Sequence, residues 1–401
     1  MISMIRPHAM ASEAPPELDA PTPLLGGLSP RGFMRRHWHK RPLLIRQALP
    51  GVVPPLGRPA LFALAGREEV ESRLIVRQGD SWALRHGPLP RRALPPVAQP
   101  GWTLLVQGLD LHLPAARALL ARFRFVPEAR LDDLMLSWAS HGGGVGPHVD
   151  SYDVFLLQVQ GRRRWRIAPP GDAALQPGLP LKILARFEPT EDGLLEPGDM
   201  LYLPPGWGHE GTAEGECMTA SIGFRAPARD ELARELLGRL ADTADLAAST
   251  RYRDAAQPAT AEPGRIPAAL QRFAADAVAR ALRGAGALEA ALGEVLTEPK
   301  PQVWFEPGAA PALEHGVRLD PRTRMMYDAA RVYVNGESWR ATGRDARTMR
   351  RLADARRLEP GEVACASAAA RALLLQWGEA GWLQPLQPLE PAAPPQGRSR
   401  R

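Results

Sequence analysis

His148 and Asp150 stand two residues apart in the stretch Gly142-Gly-Gly-Val-Gly-Pro-His148-Val-Asp150-Ser-Tyr-Asp-Val. A second histidine, His209, closes the stretch Leu195-Glu-Pro-Gly198-Asp199-Met-Leu-Tyr-Leu-Pro-Pro205-Gly-Trp-Gly-His209. On an extended strand, side chains two apart leave the same face, so one imidazole and one carboxylate can grip the same ion. His209, at the end of an apolar strand fed by a tight turn, would complete a set of two histidines and one carboxylate. Such a set leaves three coordination positions open, and the chemistry that uses them is non-haem Fe(II) with a bidentate co-substrate and dioxygen. Structural zinc more often recruits cysteine, and neither Cys217 nor Cys365 stands in a zinc-binding or redox spacing. Each of the three residues alone is an ordinary turn or strand-end side chain. Their combination with the glycines points to a site.

The co-substrate is argued from the residues that follow. With a turn at Gln160-Gly161, the stretch reads as a hairpin, and in its second arm Arg163, Trp165 and Ile167 share one face while Arg162, Arg164 and Arg166 share the other. Trp165 and Ile167 are apolar, so theirs is the inward face and the other arginines form a solvated edge. Arg163 then enters the interior, where an unpaired guanidinium is costly and calls for an anion. A small dicarboxylate answers that demand, one end on the metal and the other paired with Arg163. Ser137, on the strand before the glycine loop, is a second candidate donor to the distal carboxylate.

These residues must be held by a β-rich frame. From 131 to 224 the chain reads as short strands parted by Gly and Pro turns, the sequence form of a double-stranded β-helix, a cupin or jelly roll. Ahead of it, the spacing predicts a short helix from Phe33 leading to a strand at 43–45, a helix at 61–69 and a hairpin across Gly79-Asp80. A buried strand at 102–107 and a helix at 114–123 follow. Beyond Pro227, residues 229–246 and 267–296 have helical spacing, with Leu236, Leu240, Leu270, Phe273 and Val278 as apolar faces that mostly form intramolecular core. Residues 299–311 read as a linker. The last part mixes strands at 317–319, 325–327 and 331–334, a turn at Asn335-Gly336 and helices at 345–355 and 366–380.

The sequence resembles the bacterial jumonji-type (JmjC) cupin oxygenases that hydroxylate an arginine of the large-subunit (50S) ribosomal protein of the L-sixteen family. The likeness is carried by residues 142–167, the Pro-Gly-Asp-x-Leu-Tyr-Leu-Pro-Pro-Gly stretch ending at His209, and Ser221-Ile-Gly-Phe-Arg-Ala-Pro227. Phe33-Met-Arg-Arg-His-Trp38-His-Lys40-Arg-Pro42, Glu71-Ser-Arg-Leu-Ile, Leu131-Asp-Asp-Leu-Met and Val332-Tyr-Val-Asn-Gly336 extend it over residues 30–385. The resemblance implies Fe(II) held by His148, Asp150 and His209, 2-oxoglutarate as co-substrate anchored by Arg163, and a ribosomal protein as substrate. It also implies a homodimer built by the helices after Pro227 and a winged helix at the end. The chain departs from the family pattern at His141, where a proline is usual, and at Thr219-Ala220, where larger side chains are usual. For a cationic substrate side chain, Asp132, Asp133, Asp153 and Glu210 are the acidic groups near the site in sequence.

The expected organisation is therefore a disordered leader at 1–30, with Met4 or Met10 as alternative starts, and a mainly β JmjC/cupin catalytic domain at 31–227. A helical dimerisation domain at 228–298, a winged-helix-like domain at 299–385 and a disordered tail at 386–401 follow. The leader lacks the apolar run of a signal peptide, no stretch is long and apolar enough to span a bilayer, and two cysteines suit a reducing cytoplasm. The net charge of +6 suggests nucleic acid, but only Lys40, Lys182 and Lys300 are lysines among 50 basic residues, and the charge is spread thinly. Direct nucleic-acid binding is not expected. Two other functions fit the residues: a JmjC oxygenase acting on a histidine, asparagine or methyl-lysine side chain, and a non-catalytic cupin joined to a winged helix as a ligand-sensing transcription regulator.

Overall fold

The computed structural model describes residues 16–79, 81–242, 250–255, 258–259, 264–283 and 286–386. The chain divides into two compact units, Met1–Leu296 and Thr297–Arg401.

The first unit is built on one antiparallel sheet. Its strands are β1 (Leu43–Ile45), β2 (Ser72–Gln78), β3 (Ser81–His86), β4 (Trp102–Val106), β5 (Leu131–Ala139), β6 (Val154–Ala168), β7 (Glu191–Leu195), β8 (Met200–Leu203) and β9 (Gly208–Phe224). They run in the order β1-β8-β6-β9-β5-β4-β2-β3, with β7 also paired to β6. The long strands β6 and β9 pair with each other along most of their length, and their register shifts between Gln158 and Arg162. Before the shift β6 has β8 as its other neighbour; after it, Arg163–Ile167 pair with β7. A bulge of this kind bends a strand and strengthens its twist, so the two strands fold over from one layer of the double-stranded β-helix to the other. The turn expected at Gln160-Gly161 is thus a correction: the chain continues through it as one 15-residue strand. Gly161 has φ +63°, and a Cβ there would lie 2.1 Å from the Glu216 carbonyl oxygen. The glycine that resembles a hairpin turn serves the bulge instead.

The helices α1 (Pro30–Arg36), α2 (Arg58–Leu64) and α3 (Pro114–Ala121) cover this sheet. Each has proline in its first turn, where the missing N–H costs nothing. Phe33 of α1 is fully buried among Phe155, Tyr202 and Phe125, and Phe62 of α2 packs against Trp102 and Trp138. The leader is ordered further back than expected: residues 23–25 form a 3-10 turn capped by the Thr22 hydroxyl, with Leu24 and Leu25 in the core. Burying two leucines is worth roughly 3 kcal/mol or more, enough to order a short segment. The rest of the predicted leader, 1–15, and the tail from 387 lie outside the described residues.

After β9 come α4 (Arg229–Asp242), α5 (Ala268–Arg283) and α6 (Ala287–Thr297). Here the structure corrects the sequence. Of the five predicted core residues only Leu240 is buried, while Leu270, Phe273 and Val278 are 38%, 36% and 58% exposed. α5 has an apolar stripe that α4 and the Tyr252 ring, 5.5 Å from that of Phe273, cover only in part.

The second unit has two small sheets. β10 (Val317–Leu319) lies between β14 (Arg357–Leu358) and β15 (Leu383–Pro385), and β11 (Met325–Tyr327), β12 (Arg331–Val334) and β13 (Glu337–Arg340) form a meander. Asn335 and Gly336, with φ of 48° and 87°, make the β12–β13 turn. Helices α7 (Gly343–Ala355), α8 (Pro360–Ala364) and α9 (Ala368–Glu379) close a core of Val317, Leu352, Leu358, Leu374, Trp377 and Leu383.

Candidate metal centre and co-substrate pocket

The structure brings His148, Asp150 and His209 together, with one ligand atom from each lying within 4.8 Å of the others. His209 is the second residue of β9, and His148 joins it by a single β-bridge, each N–H donating to the other's carbonyl at 3.0 and 2.9 Å. Asp150 sits in the short loop before β6, and its Oδ2 lies 3.6 Å from His209 Nε2. The glycine run makes this approach possible: a Cβ on Gly144 would stand 2.4 Å from the Gly211 carbonyl oxygen.

Both imidazoles are held in the tautomer that ligation requires. His148 Nδ1 lies 2.9 Å from the Gly146 carbonyl and His209 Nδ1 lies 3.0 Å from the Trp207 carbonyl, so each Nδ1–H donates outward and each Nε2 keeps its lone pair for the shared space. Burial, and then the neighbouring His148, push the His209 pKa down to about 4, against a smaller upward pull from Asp150. His209 is therefore neutral at pH 7, the state in which imidazole ligates.

Arg163 reaches the same interior. It pairs with Ala213 on β9, as Trp165 pairs with Gly211 and Ile167 with His209, so these side chains share a face with the histidine. Arg163 is 5% exposed. Its Nη1 is 3.5 Å from Ser137 Oγ, and its Nε and Nη2 are buried without a partner. Ser137 donates to the Thr219 carbonyl at 3.2 Å, and Thr219 Oγ1 donates to Gln158 Oε1 at 2.8 Å. An unsatisfied interior guanidinium beside three polar side chains fits a carboxylate, and the histidine-carboxylate set fits a divalent metal. By contrast, Arg162, Arg164 and Arg166 are exposed, and Arg164 and Arg166 pair with Glu214, Asp192 and Glu210 on the outer face.

Of the acidic candidates, Asp153 is fully buried, accepting from Tyr202 at 2.6 Å and facing the His39 ring at 2.9 Å, and Glu210 is bound to Arg166. Asp133 accepts the Gly108 N–H with Oδ2, while its Oδ1 lies 3.5 Å from where a Gly223 Cβ would stand. Sequence reasoning missed Tyr152. Partial burial of its ring, then Asp150, Asp133 and Asp132, raise its pKa against Arg73, so the phenol stays protonated, while 38% of the residue is exposed. The signal was its place two residues after Asp150. His141, read as an exposed loop residue, is exposed and accepts the Gly215 N–H at 3.2 Å.

A double-stranded β-helix with this triad at its mouth and a buried arginine on the adjoining strand defines a JmjC-type cupin. The JmjC domain family matches residues 118–232, and a ROXA-like winged helix matches residues 286–384. In sequence the chain is 42% identical over 214 residues to the ribosomal protein uL16 3-hydroxylase of Escherichia coli (strain K12), covering 52% of this chain and 55% of that protein. The aligned chain spans about half the length of the curated relatives it matches. The structure of E. coli ycfD superposes with a TM-score of 0.77 at 30% identity, covering 89% of this chain and 98% of that one. The E. coli ribosomal oxygenase YcfD in complex with cobalt and 2-oxoglutarate gives 0.74 at 31% identity over the same shares. The chain belongs to the family of JmjC-domain ribosomal oxygenases.

Proposed function

We propose that this protein is an Fe(II)- and 2-oxoglutarate-dependent oxygenase that hydroxylates an arginine side chain of ribosomal protein uL16. The observation that carries this reading is the joint geometry of the triad and Arg163: a metal-ligand set beside a buried guanidinium with two unpartnered nitrogens, on paired strands. His148, Asp150 and His209 would hold the metal, Arg163 would bind the distal carboxylate of 2-oxoglutarate, and Ser137 orients the Arg163 end of the pocket. When both groups are bound, the chemistry supplied is decarboxylation of 2-oxoglutarate to succinate and carbon dioxide, coupled to insertion of one oxygen atom of O2 into a substrate C–H bond. Val154, Leu156, Trp165, Ile167, Leu201 and Leu203 form an apolar cluster that excludes water from this side of the barrel.

Two further parts of the reading concern the whole chain. In this reading the exposed stripe of α5 pairs with a second copy, making a homodimer, and a ribosomal substrate would be met in the cytoplasm. No helix among the described residues is long and apolar enough to cross a membrane. The experiment is mass spectrometry of a uL16 fragment incubated with the protein, Fe(II), 2-oxoglutarate and air. A gain of one oxygen on an arginine, absent without 2-oxoglutarate, is the expected result. Succinate formed without peptide modification would refute the substrate, and neither product with iron bound would refute the enzyme.

A further inference from the structure

The segment between β6 and β7 carries no metal ligand and is exposed through most of residues 169–182, yet Ile183 and Leu184 are 2% and 5% exposed. What they touch are the backbone positions that deliver the two histidines. Gly146, whose carbonyl fixes His148 Nδ1, has φ +77° and is wedged: a Cβ there would stand 2.6 Å from Ile183 Cδ1 and 3.0 Å from Trp82 Cζ2 of β3. The Leu184 N–H donates to the Pro147 carbonyl at 2.8 Å, directly ahead of His148. On the other arm, Leu184 Cδ1 and Phe187 Cε2 lie 3.5 and 3.4 Å from where a Cβ of Gly208 would be, directly ahead of His209. The segment is closed on itself, since Gln176 N donates to the Ile183 carbonyl and Ala185 N to the Ala174 carbonyl, both at 2.8 Å. One piece of chain thus packs on both histidine arms beside the two-bond bridge that joins His148 to His209, while the other backbone bonds between the arms, Gly142 and Gly143 with Ala213 and Gly206 N to the Asp150 carbonyl, lie further from the histidines.

We infer that residues 174–187 form a strap whose Ile183 and Leu184 are positioning residues for the metal centre, holding the His148 and His209 arms at the separation that ligation needs. This rests on the reading of the histidines as ligands. Ligand side chains must be held to within about half an ångström by the packing around them. Loss of an outer-shell support typically costs about 10–100-fold in metal affinity. The strap supports the histidines through backbone packing and one carbonyl, so its side chains touch neither metal nor substrate.

The test uses Co(II) on the full chain, followed by the visible absorption of the bound ion and by the rate at which a chelator removes it. Ile183→Ala and Leu184→Ala are expected to weaken Co(II) binding about tenfold and to shift its absorption band, with far-UV circular dichroism unchanged. Leu184→Met, which keeps the volume, is expected to restore binding. Co(II) affinity and band within twofold of the parent, with only a lower melting temperature, would make the strap purely structural and overturn the inference. Should an alanine variant not fold, Ile183→Val and Leu184→Val decide: faster loss of Co(II) to the chelator supports the strap, and an unchanged rate overturns it. His209→Ala is the separate control, since Co(II) binding that survives it refutes the ligand reading whatever the strap variants do.

Discussion

Arg163 shows at the scale of one residue how a cost in the folded chain points to a ligand. Two of its nitrogens are buried without a partner, and interior groups left so cost roughly 1–3 kcal/mol each, more when charged. Replacing such a group by an apolar one of similar length is often neutral or stabilising. Arg163→Met is therefore expected to leave the melting temperature of the ligand-free protein unchanged or higher while abolishing the rise that 2-oxoglutarate gives the parent. Its apparent Kd for 2-oxoglutarate should rise at least about tenfold, the worth of one charge-assisted hydrogen bond. Thermal melts with and without 2-oxoglutarate read both effects, and a ligand-induced shift equal to the parent's would move the anchor elsewhere. This residue was legible in the sequence because strand alternation fixes its face relative to Trp165 and Ile167, whatever precedes it. Tyr152 was not, because its neighbourhood is made by Asp133 and Asp132 of another strand.

At the scale of elements, the turn Leu195-Glu-Pro-Gly198-Asp199 shows how a motif common to many β-barrels is held here. Asp199 is 3% exposed, and its carboxylate accepts from Gln47 N at 3.0 Å, Arg46 Nη1 at 2.6 Å and Glu196 N at 3.2 Å. It ties the start of β8 to the end of β1. Burial alone would raise its pKa, but the bonds from Gln47, Arg46 and Glu196 together outweigh burial and leave the carboxyl below its ordinary value. A group depressed in the folded state adds stability above its unfolded pKa and loses it as pH falls through the folded one. Asp199→Asn should cost about 1–3 kcal/mol at pH 7 by weakening charged hydrogen bonds, and the gap should close as the pH drops below about 4. Urea melts of both proteins at pH 7 and pH 3.5 check it, and a gap independent of pH would show that the charge is idle. Strand positions were mostly readable from alternation and turn residues, as at β2 to β5. Gly161 was misread because a glycine with positive φ serves a turn and a bulge alike, and only the partner strand tells them apart. The strap at 183–184 gave no signal, since Ile183 and Leu184 stand among Leu175, Leu179, Leu181 and Phe187 in a loop whose apolar residues follow no helical or strand period.

For the whole molecule, the distribution of apolar surface says more than composition. The fifty basic residues are spread over the chain, and in the second unit α7 carries Arg344, Arg347, Arg350 and Arg351 while α9 carries Arg371 alone. The helices after β9 are the more telling feature. α5 has no buried residue among those described, and Leu270, Phe273, Val278 and Leu282 leave 36–58% of their surface open. Their spacing of three to five residues gathers them toward one side of a 16-residue helix, and a helix of that length with an apolar stripe is marginal in water without a partner surface. Covering the exposed 36–58% of these four side chains on each of two copies would contribute roughly 3–5 kcal/mol per copy before the entropy of association is subtracted. A carboxylate placed in the middle of that surface would be desolvated against apolar neighbours. Phe273→Glu is accordingly expected to halve the mass seen by light scattering at micromolar concentration and to lower the helical signal. The first unit's barrel should keep its metal site, since His148, Asp150 and His209 are drawn from β9 and the loop before β6. A variant that elutes with the parent's mass would place the contact between copies on another face and leave the α5 stripe unexplained.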